Sequence, residues 1–269
     1  MTGRLFTLIL LILLTATGCA SRSEAVFGAK QPDTAQVKNV PVIVQEDNQC
    51  AAAALLMAAQ SQQVNIGHEV WKSTVFTPER EGALPSDMLT APRRQAMQAF
   101  VLNAPAQLTQ AIAEGYPVIV LMNLKFSWWP QWHYAVATGY DRTHDSITLH
   151  TGREKKETWQ MSVFMRLWQR SGYWAMVMTP ANRLPQFVTA QQAMESAIGL
   201  EKAQHLKAAY IAYHQVTQRF SDQCTAYVGM GNTAFRLEEN TAAKRAWEQA
   251  KKFPACRQAA NNNLAEIVE

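Results

Sequence analysis

Cys50 opens the run Cys50-Ala51-Ala52-Ala53-Ala54-Leu55-Leu56-Met57-Ala58-Ala59, with Gln45 five residues ahead of it and the pair His133-Tyr134 at the head of a distant apolar stretch. These residue types suit acyl transfer. A thiol attacks a carbonyl carbon, an imidazole takes and returns a proton, and an amide donor holds the oxygen that becomes negative. A thiol in the first turn of an Ala/Leu-rich helix lies at the positive end of the helix dipole, which favours the reactive thiolate. Each residue also has an ordinary structural role, since Cys packs as a small hydrophobe. The chemistry depends on whether the three positions meet.

Several elements must bring them together. Val40-Pro41-Val42-Ile43-Val44 reads as a short strand leading into Gln45, and the helix from Cys50 is expected to run to about Gln63. A second helix is expected over 66–73. A loop with Pro78, Gly82 and Pro85 leads to a third, with Ser86 or Asp87 near its cap, and Pro105–Glu114 forms a fourth, stopped by Gly115. Pro117–Leu124 is a continuous apolar run of buried-strand type. His133–Tyr140 and Ile147–Thr151 read as strands joined by a turn at 141–145. A helix at 162–169 and a strand at 173–178 complete an α+β domain.

The hairpin decides what could orient His133. If Tyr140 lies opposite Ser146, then Thr151 lies opposite Ala135 and Arg153 opposite His133. Asp141 shares the parity of His133 but stands eight strand residues away, about 26 Å at the usual rise. Asp141 and Asp145 therefore belong to the far turn. Thr151 is the face-matched third member, with His150 beside it should the register slip. Neither is an acid, so an imidazolium would be stabilised more weakly than in a full triad. Trp128-Trp129-Pro130-Gln131-Trp132 directly precedes the histidine, either walling a peptide groove or packing as core or lid.

The chain has 269 residues, 48% hydrophobic and 17% charged, enough for one large or two modest buried cores. A net charge of +4 without a basic run gives no reason to expect nucleic acid. No Cys/His spacing suggests a metal site and no glycine-rich phosphate loop appears, so neither metal nor cofactor is expected. Arg4, the apolar stretch Leu5–Leu14 and then Thr15-Ala16-Thr17-Gly18-Cys19 read as a signal peptide, too short to span a bilayer comfortably. The small residues before Cys19 resemble a bacterial lipobox, in which Cys19 would be lipidated and begin the mature chain; plain secretion is the alternative. Ala20, in place of Asp, resembles lipoproteins sorted to the outer membrane. Residues 19–38 suit a polar tether. With Cys19 so assigned, Cys50, Cys224 and Cys256 remain, and an odd count leaves one thiol free. Its placement makes Cys50 the odd one.

After Thr179–Pro185 every segment reads as helical. Ala209, Tyr213 and Val216 recur about 34 residues later as Ala243, Trp247 and Ala250, the tetratricopeptide period. Tyr227, Met230, Gly231 and Pro254 add to that pattern; generic amphipathic helices are the alternative. Cys224 and Cys256 each lie just before a helix, either as a disulfide or as two buried thiols.

Val40–Cys50 with Ala53-Ala54-Leu55, then Gly115-Tyr116-Pro117-Val118-Ile119-Val120, then His133-Tyr134-Ala135-Val136 with Thr138-Gly139-Tyr140-Asp141, resemble in order and spacing the three boxes of family thirty-nine of the cysteine peptidases, the bacteriocin-processing type. The resemblance covers roughly residues 38–178 and implies a papain-like fold, with Cys50 as nucleophile, His133 as base and Gln45 as oxyanion donor. Two features depart from the family: Ala51-Ala52 stand where Gly and often Pro follow the cysteine, and no acid stands at the third position. The chain most resembles exported lipoprotein members with a C-terminal tetratricopeptide segment. The expected organisation is a signal peptide over 1–18, a tether over 19–38, the peptidase domain over 39–179 and a small all-α repeat domain over 186–269. The expected function is that of a cysteine peptidase of the bacterial envelope, lipid-anchored to the outer membrane and facing the periplasm. It would act on a peptide or protein and bind a protein partner through the repeats. The alternative is an inactive papain-like scaffold.

Overall fold

The computed structural model describes residues 26–27, 31–45, 48–75, 82–153 and 155–267. The signal segment and Cys19 lie outside them, as does Pro78. In chain order the elements are β1 (Thr34–Gln36), α1 (Cys50–Ser61), α2 (His68–Val75), α3 (Pro85–Arg94), β2 (Met97–Val101), α4 (Ala106–Ala113), β3 (Val118–Asn123), β4 (Trp132–Asp141), β5 (Ser146–His150), β6 (Glu157–Gln160), α5 (Met161–Gln169) and β7 (Ala175–Pro180). Five helices follow: α6 (Ala190–Lys202), α7 (Leu206–Arg219), α8 (Cys224–Arg236), α9 (Asn240–Lys251) and α10 (Arg257–Ala265).

The strands form one antiparallel sheet in the order β2-β7-β3-β4-β5-β6, and β1 pairs with the far end of β4. Strand alternation sorts its side chains onto two faces. Ile119, Leu121, Tyr134, Val136, Met176 and Met178 meet α1–α3. Val118, Val120, Met122, Ala135, Ala137 and Leu149 meet α4 and α5 through Leu108, Ile112, Phe164 and Trp168. Every residue from Ala51 to Ala59 is buried, so α1 is apolar all round and runs through the core rather than over it. That burial rigidly fixes the position of its first residue, Cys50.

Three expectations are corrected. Val40–Val44 is not a strand: Pro41 has no N–H to donate to a ladder, its carbonyl lies 3.1 Å from His150 Nδ1, and the segment crosses the sheet edge as irregular chain. The stretch expected as a tether contributes β1, and within it Val26 and Val37 are buried. β2 and β6 were not anticipated. Met97–Val101 lacks alternation because both of its faces are covered, while Glu157–Gln160 is a four-residue edge strand with charged and polar residues.

The helices after Pro185 are anchored to the sheet through β2. Phe100 packs among Ala193, Ala197, Leu200 and Ala209, and the Ala99 N–H donates to Ser196 Oγ at 3.2 Å. From α6 onward each helix packs on the next. Gly231 lies so close to the Trp247 indole that a Cβ there would overlap it. The 3-10 turn Pro254–Cys256 folds back to the head of α8, where Cys256 and Cys224 form a disulfide with Cα atoms 6.0 Å apart. The heads of α8 and α10 are therefore close enough to be bridged, and Cys50 is the free thiol among the described residues.

Candidate active site

Cys50 is the first residue of α1, and the backbone N–H groups of Tyr134, Ala51 and Cys50 itself surround its sulfur and favour the thiolate, that of Tyr134 most. Burial raises the thiol pKa, and these donors lower it by less. The helix start thus supplies the donors expected from the sequence, but desolvation outweighs them, and the resting group is a thiol.

His133 lies one residue before Tyr134, at the start of β4. Its side chain projects on the face of Ala135 and Ala137, while Tyr134 projects toward α1. The ring Nε2 lies 3.1 Å from the Thr151 carbonyl oxygen. A carbonyl can only accept, so Nε2 carries the hydrogen and Nδ1 is left with its lone pair. Burial lowers the ring's pKa, the Thr151 carbonyl raises it, Arg153 lowers it and Glu157 raises it. The histidine is consequently neutral, in the state a base needs.

Thr151 meets the ring through its main chain. Its Oγ1 is buried and without a hydrogen-bond partner. The register explains the contact. Ala137 faces Leu149 and Val136 faces His150, the pairing that brings Thr151 beside Ala135. A bulge at Thr138 shifts the outer half by one residue, so that Asp141 rather than Tyr140 faces Ser146. His150 is turned away to Pro41 and does not touch His133. Asp141, at the far turn, is held at a pKa of about 2 by hydrogen bonds from Thr143 and His144.

Gln45 enters the same neighbourhood from the other side. Its N–H donates to the Gly152 carbonyl at 3.0 Å, and its side-chain amide lies directly over the Gly152 α-carbon, where a Cβ would come within 2.2 Å of Oε1. Gly152 also has φ +82, a left-handed conformation that favours glycine. The turn Thr151–Gly152 thus carries the histidine on one residue and the glutamine on the next. Sequence reasoning missed Gly152; the only available signal was a glycine directly after a strand-end candidate.

The segment before His133 is a braced turn. Asn123, buried at the end of β3, accepts from the N–H groups of Lys125 (3.1 Å) and Gln131 (2.9 Å) and donates to the Phe126 carbonyl (3.2 Å). On this frame Phe126, Trp128, Trp129 and Trp132 are 61%, 76%, 65% and 51% exposed, which excludes a core role for them. Ala51 and Ala52 are both buried and, with Lys72 and Val75, line a small cavity beside the helix start. No described group of three or more His, Cys, Asp or Glu residues could hold a metal ion.

No curated protein matches the chain. Among solved structures it is similar to a double glycine motif protease from an AMS/PCAT transporter in complex with the leader peptide (20% identity, 54% of this chain and 94% of that chain, TM-score 0.43). It is also similar to a C39-like peptidase from Bacillus anthracis (16%, 54% and 97%, TM-score 0.46) and to the peptidase domain of Streptococcus ComA, a bi-functional ABC transporter involved in a quorum sensing pathway (18%, 53% and 99%, TM-score 0.44). The family described as Peptidase_C39 like matches residues 37–176, a span of just over half the chain that contains Gln45, Cys50, His133 and Thr151. With that match over just over half of its length, from the end of β1 to the start of β7, the chain belongs to the Peptidase_C39-like family.

Proposed function

We propose that this protein is an exported cysteine peptidase that cleaves a peptide bond through a thioester at Cys50. The observation that carries the reading is that Tyr134, whose N–H most favours the thiolate, directly follows a histidine whose Nε2 is engaged and whose Nδ1 is left to accept a proton. In this reaction Nδ1 of His133 takes the Sγ proton as sulfur attacks the carbonyl carbon. The Cys50 N–H and the Gln45 amide donate to the oxyanion, and the imidazolium returns its proton to the leaving amine. Water then hydrolyses the thioester with His133 as base. Because both groups rest neutral, proton transfer accompanies attack rather than preceding it. The thiol is titrated with iodoacetamide across pH on the purified full chain, with Cys50→Ser and His133→Ala as references. An ordinary thiol profile that ignores His133→Ala would refute the peptidase reading. A Cys50-dependent adduct with a peptide aldehyde supports it.

The second reading is an inactive papain-like scaffold, favoured by the buried, protonated thiol and by a histidine oriented through a carbonyl instead of an acid. A Cys50-dependent peptide aldehyde adduct would rule it out.

The lipobox-like segment supports a lipid anchor at Cys19 on the periplasmic side of the outer membrane. Mass spectrometry of the mature N-terminus tests this, and an unmodified start at Ala20 overturns it. The 34-residue recurrence supports tetratricopeptide-type repeats that bind a protein partner, and a groove lined by Tyr210, His214, Tyr227, Met230, Lys244 and Arg245 is the surface available for it. Protein captured by the Cys50→Ala variant identifies the substrate.

A further inference from the structure

Four large aromatic side chains, Phe126, Trp128, Trp129 and Trp132, stand exposed directly ahead of His133. The chain that carries them is stiff. Phe126 and Trp129 form an antiparallel bridge, and the Leu124 N–H donates to the Gln131 carbonyl at 2.9 Å. Arg170, from the C-terminal cap of α5, donates to the carbonyls of Asn123 and Lys125. This bracing, with the Asn123 bonds, holds the rings out in water. Rigid aromatics lose little conformational freedom on binding, which is why such residues anchor interfaces. The rings do not form a flat plate. Phe126 and Trp128 stack at 5.5 Å with their planes 9° apart, so each covers a face of the other. Trp129 stands at 89° to Trp128, with centroids 6.4 Å apart. Two indoles at right angles make a corner, which suits a single bulky apolar side chain.

The place of the turn says whose side chain it takes. Trp132 directly precedes His133 in β4 and, by two-residue alternation, shares the face of Tyr134, the side of the sheet on which α1 and Cys50 lie. In acyl transfer the base that protonates the leaving amine adjoins the leaving group, so residues beside the imidazole meet the peptide after the scissile bond. Val26 and Phe27, through which an anchor at Cys19 would join the domain, lie elsewhere. Phe27 packs on Tyr140 at 5.4 Å, about 26 Å along β4 from Trp132. An anchor would therefore draw that end, not the aromatic turn, to a bilayer. We propose that Trp128, Trp129 and Trp132 form the subsite for the leaving side of the substrate, and that the peptide cleaved carries a large apolar side chain within the three residues after the scissile bond. Trp132 walls the path and the Trp128–Trp129 corner receives the apolar group. This rests on reading Cys50 and His133 as a working pair.

The test is acyl transfer on the purified full chain, because an amine that intercepts the acyl-enzyme binds where the leaving amine departs. N-acetylglycine ethyl thioester loads Cys50: Sγ attacks the carbonyl, and ethanethiol leaves with the thiol proton relayed by His133. A peptide amine then attacks that carbonyl and gives its proton to His133. Cys50 departs as the thiol and a new amide bond remains. Glycylglycylglycine amide competes in one tube with each of its three variants carrying a single phenylalanine. Mass spectrometry reads the product ratio, which does not depend on how much acyl-enzyme forms. At least one phenylalanine amide is expected to be favoured about tenfold. Trp128→Ala/Trp129→Ala should bring that ratio to within about twofold of unity, and Trp128→Phe should keep most of the preference. Trp129→Ala alone keeps the test decisive if the double variant folds poorly. A ratio near unity in the parent, or a preference that the variants leave intact, overturns the proposal, while Cys50-dependent transfer still upholds the peptidase reading. A Cys50 that neither transfers the acyl group nor responds to His133→Ala in alkylation removes the peptidase reading and the subsite with it. A double variant that keeps the ratio but loses binding to phosphatidylethanolamine–phosphatidylglycerol vesicles would make the turn a lipid contact and overturn the proposal.

Discussion

At the scale of single residues the site is governed by burial. Cys50 and His133 are both pushed toward their neutral forms, the thiol upward and the imidazole downward. His150 is lowered for the same reason. A histidine whose folded pKa is depressed binds its proton more readily when unfolded, so stability is complete above the ordinary value of 6.5 and is lost as pH falls below it. The melting temperature should therefore fall as the pH is lowered through that range, and scanning calorimetry of His150→Gln should show a smaller fall. Thr151→Val should leave Cys50 alkylation within about twofold of the parent, because the ring rests on a carbonyl that every residue carries and the lost hydroxyl had no partner. Gly152→Ala should behave quite differently. The methyl would overlap the Gln45 amide, and the left-handed backbone alone costs about 1–2 kcal/mol. Urea unfolding should register that cost, and formation of the Cys50 adduct with a peptide aldehyde, whose hemithioacetal oxygen takes the oxyanion position, should weaken by about tenfold or more as the donor is displaced.

The elements act as rigid mounts. Helix α1 holds its first residue in place because all its sides are in the core, and Leu55→Ala should cost about 2–5 kcal/mol in chemical denaturation. The turn before β4 depends on one amide. Asn123→Ala would remove three hydrogen bonds from a buried site and leave the Lys125 and Gln131 N–H groups without their partner, while the Phe126 carbonyl keeps the Trp129 N–H. A loss of about 2–3 kcal/mol is expected, with faster amide exchange over 124–131 as the local readout. The sequence showed the helix, the apolar strands β3 and β4 and the turn after Asp141 through periodicity. It did not show β2, whose doubly covered faces erase alternation, or β6, whose short polar composition resembles a loop.

Across the whole molecule, the helices after Pro185 extend the sheet domain instead of hanging from it. Ser196, Ala193 and Ala197 dock on β2 through Phe100 and the Ala99 N–H, so a partner bound by the last helices would be held at a fixed bearing to Cys50. The Cys224–Cys256 disulfide closes the terminal part of that array. Replacing Cys224 by Ser should cost the helical segment about 3–4 kcal/mol through the freed unfolded chain. Limited proteolysis should then cut after Phe220 while the sheet domain stays intact.

The sequence by itself determined the residue types and the order in which they come: a thiol at a helix start, a histidine at a strand start, an amide ahead of both and an odd cysteine left unpaired. It also excluded Asp141 by strand length alone. The tertiary structure decided what those residues do to one another. The bulge at Thr138 is set by packing across β4 and β5, and it places the Thr151 carbonyl under His133 with no requirement on the Thr151 side chain. The balance at Cys50 between helix-end donors and desolvation depends on what covers the sulfur, and periodicity carries no record of that. Local pattern fixes the elements; the charges and contacts that tune a site come from elements meeting across the fold.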